Sequence, residues 1–161
     1  FLALYSDDLI FGKGDVETLV DAYKKHPEAK AIIAAQEMPK EVWNKYGMIA
    51  MKDKKKQPLS HIVEKPATPD LSPSNLTSYG RYLLTPEVFE YLVPENTGLD
   101  DELWTVDAIT KLAEHGDVVV AHSKGKWITT GDPKNYFMAH LEYVLNHTDY
   151  AEDVKKFIET H

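Results

Sequence analysis

The decisive stretch is Phe1-Leu2-Ala3-Leu4-Tyr5-Ser6-Asp7-Asp8-Leu9-Ile10-Phe11-Gly12. Its opening is apolar and bulky, which reads as a buried strand of a parallel sheet. Two carboxylates follow at the strand's carboxyl end, where open α/β sheets bind ligands. Asp7 and Asp8 admit two readings. Together they suit Mg²⁺, a hard cation that takes oxygen ligands and shares them with substrate phosphates. Equally, an aspartate before a polar stretch caps a helix.

Composition narrows the class. A chain of 161 residues fits one domain and can bury a sizeable core. The net charge of -8 argues against a nucleic-acid partner, whose footprint would be basic. A phosphate ligand remains compatible, because one cation and one lysine neutralise a local site. Without cysteine, the chain has no disulfide, zinc thiolate or cysteine nucleophile. No apolar stretch approaches membrane-spanning length, so a cytoplasmic protein without a membrane partner is expected. The chain also opens inside an apolar strand that wants neighbours on both sides, and further sequence upstream is therefore expected.

Downstream, strand and helix signals alternate. Asp15 to His26 has Val16, Leu19, Val20 and Tyr23 at helical spacing, ended by Pro27. Ala29 to Gln36 reads as a parallel strand, giving a strand, helix, strand crossover. Strands follow at Met48–Met51 and Leu59–Val63, joined by a charged turn over Lys52 to Pro58. Leu76 to Leu84 is a strand with Gly80 in its middle, a residue that often marks close approach of a ligand or backbone. Helices are predicted over Thr85–Leu92, Asp101–His115, Asp132–Asn146 (with Tyr136, Phe137, Leu141 and Val144 inward) and Tyr150–Thr160. Val118–His122 and Gly125–Gly131 complete the strands. Trp43, Trp104 and Trp127 read as packing aromatics rather than a base-stacking platform.

Several motifs then agree in order and spacing: DDLI at Asp7–Ile10, YGMI at Tyr46–Ile49, VEKP at Val63–Pro66, SNLTSYGRYLL at Ser74–Leu84, DELWTVDAI at Asp101–Ile109 and KGKWITTGDPKNY at Lys124–Tyr136. Together they resemble the sugar-phosphate nucleotidyltransferases, most closely the bacterial UTP–glucose-1-phosphate uridylyltransferases, over roughly Phe1 to His147. The resemblance implies an α/β, Rossmann-like fold, a mixed sheet flanked by helices, here lacking its N-terminal strands. Residues 1–147 would be the C-terminal, sugar-binding part of that domain and 148–161 a C-terminal helix.

The implied reaction joins UTP to glucose 1-phosphate, giving UDP-glucose and pyrophosphate by in-line attack without a covalent enzyme intermediate. Such chemistry needs positioning and charge neutralisation. By resemblance, Asp7 is the metal-binding aspartate that holds Mg²⁺ against the α-phosphate, and Gly47 lies with its backbone against the sugar. Glu64 accepts hydrogen bonds from sugar hydroxyls, and Lys65 reaches the phosphate as a point charge. Tyr79 and Gly80 belong to the stretch that closes over the sugar, while Arg81, Glu102 and Asp107 support the fold. Asp8, Thr129 and Asp132 are secondary metal candidates. Thr129 stands where many members carry a second metal-binding aspartate, and Asp132 also reads as a helix cap. The family's glycine-rich phosphate loop has no counterpart here, so a homo-oligomer or a missing N-terminal half is expected. Other base or sugar specificities, a non-catalytic sugar-phosphate-binding module and one half of a split enzyme are the alternatives.

Overall fold

The computed structural model describes residues 1–12, 14–52, 58–97 and 102–161. The chain divides into two compact units, Phe1–Leu4 with Gly14–Lys124, and Tyr5–Lys13 with Gly125–His161. The boundary expected after residue 147 falls inside the second unit.

The first unit is built on a mixed sheet of β1 (Leu2–Leu4), β3 (Ala31–Glu37), β4 (Gly47–Met51), β5 (Leu59–Glu64), β6 (Leu76–Leu84) and β7 (Val118–His122). β6 is its axis. One edge pairs antiparallel with β3, which in turn runs parallel to β7. The other edge is shared: β4 pairs at Thr77 and Ser78, and β1 pairs at Arg81, Tyr82 and Leu83. β5 closes the order as a hairpin partner of β4.

Apolar alternation explains the layers. Ala31, Ile33, Ile49, Tyr82, Leu84, Val118 and Val120 share one face with Ile109, Leu112 and Ala113 of α2 (Thr105–Glu114). Ile32 and Ala34 of β3 turn the other way and are also fully buried, since α1 (Asp15–Lys25) packs on β3, β6 and β7. A strand covered on both sides needs a continuous apolar run, which Ala31–Ala35 supplies.

The second unit is smaller. β2 (Asp8–Phe11) pairs antiparallel with β8 (Lys126–Thr129), and α3 (Pro133–His147) packs on β8 and on α4 (Ala151–Thr160). Among the described residues, no helix is long and apolar enough to cross a membrane.

Four expectations are corrected. β1 is not a buried parallel strand: it runs antiparallel to β6, with Phe1 56% and Leu4 48% exposed. The Thr85–Leu92 helix is a short 3-10 turn over Pro86–Glu90, with the Thr85 hydroxyl donating to the Lys30 carbonyl at 2.9 Å instead of capping. α2 begins at Thr105, so Glu102 precedes it and only Asp107 lies in its first turn. Tyr136 and Phe137 are exposed, and the buried position of α3 is Ala139. Most of the Lys52–Pro58 turn, at 53–57, and Asp101 lie outside the described residues.

Candidate functional site

In the first unit, the candidate residues gather where the edge of β6 changes partner. Gly47 opens β4 and stands opposite Glu64, the last residue of β5, and opposite Ser78 of β6. Residues in register share a sheet face, so Glu64, Gly47 and Ser78 form one transverse row. Gly47 is required here by close approach. A Cβ on it would stand 2.9 Å from Glu64 Oε2 and 3.0 Å from Ile62 Cγ2, so the Glu64 carboxylate occupies the space above the bare backbone. The Thr77 hydroxyl donates to the Gly47 carbonyl at 3.0 Å and pins this end of β4 to β6.

Lys65 follows with φ of 40°, the one non-glycine residue in left-handed conformation among the described residues. Such a backbone costs on the order of 1–3 kcal/mol and concentrates at functional sites. Its amide donates to the Tyr46 carbonyl at 3.2 Å, which stabilises the turn. Consecutive strand residues point to opposite faces; the left-handed turn breaks that alternation. It leaves Lys65 Nζ 3.9 Å from Glu64 Oε1, with the lysine side chain 64% exposed. The pair is a loose, solvated one whose partners can exchange it for a ligand at little cost.

The ladder between β3 and β6 slips between Ser78 and Tyr82, across Tyr79, Gly80 and Arg81. Tyr79 is buried within the unit at 3% exposure. Arg81, also buried, donates to the Gly80 carbonyl at 2.9 Å. Sequence reasoning passed over Ser78, whose Oγ is buried with no hydrogen-bond partner among the described residues. Its only signal was its register beside Gly47.

In the second unit, Asp7 sits in the turn before β2. Its carbonyl accepts the Thr130 amide at 2.6 Å and the Thr130 hydroxyl at 3.1 Å. Its carboxylate is exposed and takes part in no hydrogen bond or ion pair among the described residues. A Cβ on Gly131 would lie 3.4 Å from Asp7 Oδ2 and 3.5 Å from Thr129 Oγ1, so carboxylate and hydroxyl flank one bare position. Asp8 and Asp132 are differently engaged. Asp8 is 7% exposed and its Oδ1 accepts the Trp127 indole N–H at 2.6 Å. Asp132 caps α3, its Oδ1 accepting the Asn135 amide at 3.0 Å and its Oδ2 the Asn135 side chain at 2.6 Å.

No cluster of three or more His, Asp or Glu side chains suited to a metal occurs among the described residues. One open carboxylate beside a hydroxyl still fits Mg²⁺, which keeps several waters and needs only one or two protein carboxylates when phosphates complete its shell.

The nucleotidyl transferase family profile matches residues 1–145. UTP–glucose-1-phosphate uridylyltransferase of Staphylococcus epidermidis is 30% identical over 162 residues, covering 99% of this chain and 55% of that protein. Among solved structures, UTP-bound UGPase from Acinetobacter baumannii superposes with a TM-score of 0.82 at 27% identity, over 98% of this chain and 55% of that one. UDP-glucose pyrophosphorylase complexed with UDP-glucose gives a TM-score of 0.78 at 29% identity, over 89% and 55%. The chain thus spans about half the length of the curated relatives it matches. With a mixed sheet flanked by helices, the same overall fold as these structures and a profile match over residues 1–145, the chain belongs to the nucleotidyl transferase family.

Proposed function

We propose that this chain contributes the sugar-phosphate-binding part of a uridylyltransferase that makes UDP-glucose and pyrophosphate from UTP and glucose 1-phosphate. The observation that carries the reading is the Glu64 carboxylate held over Gly47 with Lys65 turned beside it. A partly exposed carboxylate at a strand end accepts hydrogen bonds from vicinal sugar hydroxyls. A solvated lysine one residue on supplies a mobile point charge for the phosphate. Gly47 and Gly80 are buried in their strands and, without side chains, leave room for the neighbouring groups, and Tyr79 is buried beside Gly80 in β6.

In the reaction, a phosphate oxygen of glucose 1-phosphate attacks the α-phosphorus of UTP. The new P–O bond forms as the bond to the β-phosphate bridge breaks, and pyrophosphate leaves. Glu64 fixes the sugar, Lys65 offsets the charge of the attacking phosphate, and no side chain becomes covalently attached. Asp7, with Thr129 beside it, is the residue that would hold Mg²⁺; when bound, that cation neutralises phosphate charge. A cytoplasmic location and self-association belong to the same reading, the latter supported by exposed Phe137 and Phe157.

The test is calorimetric titration of the chain with UDP-glucose, with and without Mg²⁺, beside a pyrophosphate-release assay on the longest form of the protein. Mg²⁺-dependent binding lost in Glu64→Ala and Lys65→Ala is expected. Absence of pyrophosphate release with every nucleoside triphosphate and sugar phosphate pair sinks the enzyme reading. If binding persists without turnover, a sugar-phosphate-binding module takes its place, a reading favoured by Thr129 standing where an aspartate was expected.

A further inference from the structure

We infer that Asp8 is a positioning residue, not a cation ligand: held by the Trp127 indole, it fixes β2 on β8 and so sets Asp7 against Thr129 and Gly131. The inference rests on the reading of Asp7 as the cation-holding residue.

The two adjacent aspartates have opposite surroundings. Asp7 is open to solvent, whereas Asp8 is 7% exposed. Asp8 stands opposite Thr129, and Ile10 stands opposite Trp127. Trp127 is therefore the diagonal neighbour of Asp8 on one face, at a spacing that a long aromatic side chain bridges. The bridge is made, with the indole N–H 2.6 Å from Asp8 Oδ1. A hydrogen bond to an ionised acceptor is among the stronger ones, and more so away from water.

Strength matters here because β2 and β8 are four residues each. A two-stranded sheet of that size is marginal alone. The contacts that orient Asp7 continue directly from this ladder. Thr130, one residue beyond β8, gives both its amide and its hydroxyl to the Asp7 carbonyl. Gly131 then leaves room beside Asp7 Oδ2 and Thr129 Oγ1. A slip of β2 on β8 would displace every one of these contacts together. Asp8 thus supports Asp7 through Trp127 without itself touching the ligand, as outer-shell partners of metal ligands do.

Mn²⁺ is the probe, titrated into the ¹⁵N-labelled 161-residue chain while the Thr130 and Gly131 amide signals are followed for paramagnetic broadening. Asp7→Asn serves as the control for the underlying reading: if it broadens as the unmodified chain does, Asp7 is not the ligand and that reading fails by itself. With the control abolishing the effect, Trp127→Phe is expected to weaken Mn²⁺ about tenfold, within the range typical of outer-shell partners. Asp8→Asn keeps an acceptor for the indole and is expected to stay within about threefold, the loss of one nearby charge. Loss of broadening in Asp8→Asn as complete as in Asp7→Asn makes Asp8 a ligand and overturns the inference. So does an unchanged Mn²⁺ affinity in Trp127→Phe. Should Trp127→Phe lose the β2–β8 amide signals altogether, the Asp8→Asn result alone decides.

Discussion

The Glu64 carboxylate lies directly over Gly47: a Cβ added at position 47 would stand 2.9 Å from Glu64 Oε2 and 3.0 Å from Ile62 Cγ2. The carboxylate sits at the end of a flexible side chain and can yield, while the Ile62 methyl is packed. Gly47→Ala should therefore fold, at a cost of about 1 kcal/mol in urea denaturation, and should displace the carboxylate from the sheet. Calorimetry should then show weaker binding of glucose 1-phosphate. Unchanged affinity would remove Glu64 from the sugar contact.

Lys65 couples backbone strain to charge. Lys65→Gly relieves the φ of 40°, whereas Lys65→Ala keeps it. The glycine variant should be the more stable of the two by about 1 kcal/mol. Both should bind glucose 1-phosphate equally poorly, since both lack the ammonium group. Equal stabilities would mean that the turn relaxes without strain.

Acid stability should report on Glu87. Its carboxylate accepts from Lys30 Nζ at 2.6 Å. That bond, then one from Thr85, lowers its pKa from 4.5 to about 2. Because the folded value is the depressed one, the stabilisation is present above pH 4.5 and is lost as pH falls toward 2. Lys30, raised above 10.5 chiefly by the same hydrogen bond, gives stability that is present below that pH and fades above it. Denaturation of the native chain and Glu87→Gln, compared from pH 6 down to pH 2, should give curves that converge at the acid end. A gap that stays constant across this range would mean that the pair does not contribute through charge.

Thr129→Asp should place a second carboxylate beside Asp7. In the absence of divalent cation the two like charges should lower the melting temperature. Mn²⁺ should restore it and bind roughly tenfold more tightly, as added ligand charge does in oxygen-donor sites. A melting temperature insensitive to Mn²⁺ would show that the Asp7 and Thr129 side chains do not converge on one ion.

Much of the sheet was legible because its patterns are local. β6 matches Leu76–Leu84 residue for residue, bounded by Asn75 and Pro86, and β3 follows from the unbroken run Ala31–Ala35. The direction of β1 was not legible. It depends on a partner about eighty residues away, and a short apolar run looks alike in parallel and antiparallel pairs. The Thr85–Pro86 start signal was sound, but the segment is too short to propagate beyond a 3-10 turn. Helical spacing placed Tyr136 and Phe137 inward although only the smaller Ala139 is buried. At the candidate site, motif resemblance singled out Gly47 and Glu64, and the structure places the two opposite each other. The left-handed backbone of Lys65 had no glycine to announce it, and the Asp8–Trp127 bond joins residues 119 positions apart.

That separation has a kinetic consequence. Asp8 pairs with Thr129, so β2 emerges from the ribosome long before its partner strand exists. At synthesis rates of about 5–20 residues per second, the wait is on the order of ten seconds. Throughout that interval nothing on the nascent chain can align Asp7 with Thr129 or supply the indole for Asp8. The ladder of the second unit is therefore one of high contact order, and it closes only after residue 129 has been made.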